Sequence, residues 1–140
     1  MTTQQRASVA AGLRAWAAGM NTTAAAVELL LRACGGRFAQ PGNAWICYDE
    51  QGGRYWLDSA AIEPNIGALS SGERRLLAVV ASLADGEQQR GHVTAGVVDL
   101  SDVASGLDTP TLGLVLAAIA HAGGKSHLHP WPEPLQVGQS

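Results

Sequence analysis

Charge is scarce in this chain. Asp, Glu, Lys and Arg make up 15% of it, where an ordinary soluble domain carries about 25%. Nine Lys and Arg stand against twelve acids, for a net charge of −3. Residues 1–57 hold five Arg and three acids, and residues 58–140 hold four Lys or Arg and nine acids. Neither half offers the dense cationic surface on which nucleic-acid affinity rests, so nucleic acid is not an expected partner. Cysteine is limited to Cys34 and Cys47, without CxxC spacing. In their apolar settings they read as buried, reduced thiols, with a disulfide or reactive thiol as the alternative. No apolar run approaches the ~18 residues that cross a bilayer, and Arg6 and Arg14 interrupt the N-terminus before a signal-peptide core can form. A cytoplasmic protein with no membrane contact is expected. Catalytic constellations are missing too, since no Ser-His-Asp, Cys-His or paired-carboxylate arrangement stands out. His92, with Asp85 and Glu87 upstream, is weak company for acid–base work. His121, His127 and His129 bring no acidic or thiolate partner for a metal. The chain therefore reads as a non-enzyme with no cofactor and no metal.

What is present is alanine. Hydrophobic residues reach 46%, but 24 of them are Ala, so the core has few large side chains and its helices must approach one another closely. A length of 140 residues suits one domain that buries roughly two thirds of its unfolded surface. Val9, Leu13, Trp16 and Met20 share one face of a helix over about 4–18, closed by Gly19 and Asn21. Thr22 or Thr23 then caps a second helix striped by Val27, Leu30, Leu31 and Cys34, with Glu28 and Arg32 paired outside. Gly35-Gly36 ends it in the left-handed conformation. Trp45–Tyr48 and Arg54–Leu57 are short aromatic and β-branched runs around the turn residues Asp49–Gly53. They predict a β-hairpin near 44–57, too small to stand alone and so laid on helices.

Ser70 and Glu73 form an S-x-x-E capping box ahead of a third helix striped by Leu76, Val79, Val80 and Leu83, ending near Asp85-Gly86. Residues 87–96 read as an exposed loop, with a short helix from Ser101. Asp108 or Thr109 caps the last helix, with Pro110 in its first turn, a stripe of Leu112, Val115, Leu116 and Ile119, and Gly123-Gly124 as the stop. Residues 125–140, with three prolines between 130 and 134, read as a flexible or polyproline-like tail. The expected architecture is α+β, a mostly helical single domain over 1–124 with one hairpin packed on four to five helices.

Residues 69–83, opening Leu69-Ser70-Ser71-Gly72-Glu73-Arg74-Arg75, resemble the signature loop of ABC-type ATPases. Val97-Val98-Asp99 and Ser105-Gly106-Leu107-Asp108 resemble a decayed Walker B strand and D-loop. The resemblance implies that Ser70, Ser71 and Gly72, with Arg74 and Arg75 beside them, could face a phosphate at a helix N-terminus. No G-x-x-x-x-G-K-[ST] is present, and Leu100 holds the position of the catalytic carboxylate, so ATP hydrolysis in cis is not expected. The same helix-start residues also serve simply to begin a helix. Residues 9–123, with the Leu69–Arg75 run and the later Leu107-Asp108 and Leu114–Ala122 runs, are similar to small uncharacterised proteins of high-GC bacteria and their phages. That similarity brings no activity with it.

Ser101–Gly123 has a helix-turn-helix outline, and the hairpin adds a winged-helix aspect. Thr111, Gly113, Ala117, Ala118 and Ala120 cannot read bases, however, and Asp49 and Glu50 at the hairpin tip would repel phosphate. The sequence points instead to a small interaction or regulatory protein that holds a protein partner. The surfaces expected to do so are the hairpin aromatics Trp45, Tyr55 and Trp56, the Gly113–Ala117–His121 flank as a homodimer seam, and Trp131 between its prolines. Two readings stay beside it: an accessory protein offering residues 70–75 to a phosphate ligand or partner ATPase, and winged-helix-like DNA binding.

Overall fold

The protein is described by a computed structural model covering residues 2–88 and 98–133. Among these residues it is mostly helical with one antiparallel hairpin. Helix α1 spans Thr3–Ala17 and α2 spans Asn21–Arg32. Strands β1 (Ile46–Asp49) and β2 (Arg54–Leu57) follow a 3-10 segment over Ala33–Ala39. Then come α3 (Ser71–Gln88), α4 (Leu100–Gly106) and α5 (Thr109–Ala122). No described helix is long and apolar enough to cross a membrane.

Helix α2 is the hub. It packs on α1, α3 and α5, and its Ala25, Ala26, Val27, Leu29 and Leu30 are wholly buried. Alanine at such positions lets backbones come close, so a core poor in bulky side chains can still be closely packed. Leu13 from α1, Leu76, Leu77 and Val80 from α3, and Val115 from α5 fill the space around it. The hairpin lies on α1, as its size requires. Gly12 permits this, because a Cβ there would stand 3.2 Å from the Tyr55 backbone nitrogen.

Local chemistry explains most element ends. Ser70 Oγ accepts from the Glu73 N–H at 3.2 Å, and Glu73 Oε1 accepts from the Ser70 N–H at 3.0 Å, closing the capping box that opens α3. Asp108 Oδ1 accepts from the Thr111 N–H at 2.8 Å, with Pro110 in the first turn of α5. Asp99 caps α4 in the same way, through the N–H groups of Ser101 and Asp102. It begins a helix there, and Val98 and Asp99 belong to no strand.

Several expectations are corrected. Neither Thr22 nor Thr23 caps α2, which begins at Asn21 after Met20 without a side-chain cap. Packing turns Thr23 fully inward, and neither hydroxyl has a partner among the described residues. Cys34 is exposed rather than buried, and Cys47 is half-buried. The reason is that α2 stops at Arg32 and Cys34, Gly35 and Gly36 all take positive φ, at 53°, 66° and 78°, which swings the thiol outward. Helix α3 runs past Asp85-Gly86 to Gln88. The rest of the expected 87–96 loop lies outside the described residues. On α5 the stripe divides: Val115 is buried, whereas Leu116 is 45% and Ile119 49% exposed, and Ala117 and Ala118 take the inner face. Small side chains face α2 because that contact is close. Past Gly124 the chain folds back in a turn over Ser126–Leu128 and seats Trp131 against the body, so residues 125–133 do not form a free tail.

Candidate functional site

The hairpin aromatics divide into two roles. Trp45 is 3% exposed, and its indole N–H donates to the Phe38 carbonyl at 2.8 Å. It belongs to the core, and its burial keeps it from a partner; just before β1 its carbonyl also accepts from the Asp58 N–H at 2.8 Å. Tyr48 and Tyr55 are register partners with ring centroids 4.9 Å apart, and Tyr48 is 53% exposed. Trp56 is half-buried beside Trp16 of α1, at 6.4 Å. Trp16, Tyr48 and Trp56 line an open groove of about 780 Å³ with the turn residues Asp49–Gly52 and Arg54. Tyr55 and Trp56 lie on the hairpin, but of the two only Trp56 lines the groove, and Tyr48 and Trp16 join it without being among the expected partner-binding residues. The cross-strand register is what exposes Tyr48.

The Ser70–Arg75 segment is largely occupied by its own contacts. Glu73 closes the capping box and also pairs with Arg37. Ser70, through its backbone N–H and hydroxyl, and then Arg37 hold the Glu73 carboxyl below its ordinary pKa. Arg75 donates from Nε to Asp102 at 3.0 Å, tying α3 to α4, and its guanidinium lies in space that a side chain at Gly106 would fill. Ser71 and Arg74 are exposed and Gly72 is open, so Arg74 is the cation this turn leaves unpaired among the described residues. A phosphate here would have to displace Glu73 from the helix start.

The Gly113–Ala117–His121 seam is not a free face. Ala117 is 1% exposed, and His121 is covered by Trp131, leaving Gly113 alone with open space. Trp131 instead closes one side of a cleft of about 520 Å³ between α1, α2, α5 and the 126–131 segment. Its indole N–H donates to His121 Nδ1 at 3.4 Å, and the Arg32 guanidinium lies 4.8 Å from its ring centre. Glu28 joins two helices inside this cleft. It accepts from Arg14 Nε and Nη2 at 2.7 and 3.2 Å, and from Arg32 Nε at 3.1 Å. Burial works against the Glu28 carboxylate, but the hydrogen bonds and charges of Arg14 and Arg32 outweigh it, so its pKa sits below the ordinary carboxylate value. The i, i+4 spacing showed the Glu28–Arg32 pair. Arg14 could not be found that way, because it arrives from another helix.

No family model, curated protein or solved structure matches the chain. Among the described residues no three His, Cys, Asp or Glu come together as metal ligands. The exposed Cys34 thiol is not activated either, since desolvation and then the Glu73 carboxylate raise its pKa.

Proposed function

We propose that this is a non-catalytic, cytoplasmic interaction protein that holds a protein partner on the open face of its hairpin. The observation that carries the reading is Tyr48, an aromatic ring left more than half exposed beside a groove already walled by Trp16 and Trp56. Aromatic side chains that are rigid before binding lose little entropy on contact, which is why they serve as interface anchors. The test compares the wild type with Tyr48→Ala, each immobilised and offered lysate of the source cell. The reading expects at least one protein retained by the wild type and lost from a Tyr48→Ala variant with unchanged far-UV circular dichroism. Identical retention by the two would end it.

Self-association is the second reading, favoured by Leu116 and Ile119 on a helix that carries no charged side chain between Asp108 and His121. Sedimentation of the wild type and Ile119→Glu decides it, with a dimer lost in the variant as the supporting result. The phosphate-accessory reading has Arg74 as its remaining unpaired cation, and the DNA-binding reading has no cationic recognition face, so neither is carried further.

A further inference from the structure

We propose that the cleft bounded by Arg14, Glu28, Arg32, His121 and Trp131 binds a small organic carboxylate with an apolar body. The inference is independent of the hairpin. Two guanidiniums face one carboxylate in the cleft, so among the described residues the cluster carries one positive charge in excess. Glu28 is 14% exposed, whereas Arg14 and Arg32 are 53% and 32% exposed, so the excess charge meets solvent and its attraction for an anion weakens with added salt. A monoanion balances the count, whereas a dianion would overshoot it beside Glu28.

Donor geometry agrees. Glu28 takes Nε and Nη2 of Arg14 and Nε of Arg32, which orients both guanidiniums and leaves Arg14 Nη1 and both terminal nitrogens of Arg32 outside that contact. Arginine presents its N–H groups as a fixed planar fork, so holding one edge aims the others. The Trp131 ring under Arg32 adds a second restraint on its plane. His121 accepts the Trp131 indole N–H at Nδ1, so its neutral ring carries the proton on Nε2 as a further donor. The floor is apolar, formed by the buried Ala17 and Val27 with Ala24 beside them. Ala17 and Val27 are already fully enclosed, so the half-buried Ala24 and Trp131 are the apolar surface that a bare oxyanion would leave uncovered. A volume of about 520 Å³ lies within the range of small-molecule sites.

The test uses sodium benzoate as the probe on the full chain at constant ionic strength, read by the indole N–H signals in 1H–15N spectra. The four tryptophans give four such signals, and Trp131→Phe assigns the one that matters. Benzoate should move the Trp131 signal saturably, with a Kd of about 1 mM or tighter. Glu28→Gln leaves the cleft's shape and removes its negative charge, and should tighten benzoate about fivefold. Arg14→Gln brings the net charge to zero and should weaken it about fivefold. The gain expected for Glu28→Gln follows from charge alone, so the wild-type comparison of benzoate with benzyl alcohol and phosphate is what separates a built site from a cationic patch. Three wild-type results would each overturn the proposal whether or not the variants fold. They are no saturable shift, benzyl alcohol binding as tightly as benzoate, and inorganic phosphate moving the Trp131 signal where benzoate does not.

Discussion

Replacing Trp45 by Phe should cost about 3 kcal/mol, although the change keeps an aromatic ring at the foot of the hairpin. Trp45 and Phe38 are each 3% exposed, and the indole N–H reaches the Phe38 carbonyl at 2.8 Å. Phenylalanine cannot donate, and removing the donor from a buried acceptor costs roughly 1–3 kcal/mol. The smaller ring also gives up buried apolar matter equal to about two methylenes, at roughly 0.8 kcal/mol each. Domain stabilities lie near 5–15 kcal/mol, so this is a large share of the total. With a urea m-value near 2 kcal/mol/M, the midpoint should fall by about 1.5 M without a change in slope. Tyr48→Ala supplies the contrast. Tyr48 is 53% exposed and its contact is the cross-strand pair with Tyr55, which is worth about 0.2–1 kcal/mol. Its midpoint should move by less than about 0.5 M. Urea titrations followed by far-UV circular dichroism measure both. A Trp45→Phe variant within about 1 kcal/mol of wild type, or a Tyr48→Ala variant that loses more, would refute this division of the hairpin into a structural and a displayed aromatic.

Two further outcomes follow from the helix cluster and the left-handed turn. Glu28 has a folded pKa below its unfolded value, so the stability it contributes is present above the unfolded value and is lost as pH falls through the folded one. Wild type should exceed Glu28→Gln by about 1 kcal/mol near neutrality, with the gap closing below about pH 4.3. Urea midpoints from pH 7 to pH 3 test this, and a gap independent of pH contradicts it. Gly36→Ala should cost about 2 kcal/mol and Gly35→Ala about 1. Both have positive φ, but only at Gly36 does an added Cβ meet a neighbour, the Leu31 carbonyl at 3.2 Å. Thermal or urea unfolding that ranks them the other way would show that strain alone sets the cost.

Much of the architecture is written in interactions that reach no more than four residues along the chain. The Ser70–Glu73 box, the Asp108 cap with Pro110 and the aromatic hairpin all follow from such local chemistry, and the structure shows each of them, whereas Gly35 and Gly36 take the left-handed conformation but lie beyond the end of α2 at Arg32. Where periodicity is ambiguous, local rules fail. Helix α5 is apolar around most of its circumference, so nothing within it selects Val115, Ala117 and Ala118 for burial and leaves Leu116 and Ile119 outside. That choice belongs to α2, whose alanines admit only a close neighbour. The same holds for the aromatics: Trp45 and Tyr48 are three residues apart, and only the Phe38 carbonyl from another segment makes one of them core. Local sequence settles where α3 and α5 begin, because their caps are satisfied within a few bonds of the backbone. The tertiary structure alone brought Arg14 to Glu28 across 14 residues and set Trp131 on His121 and Arg32, because contacts between elements depend on which faces pack together, and the chain's local pattern does not encode that.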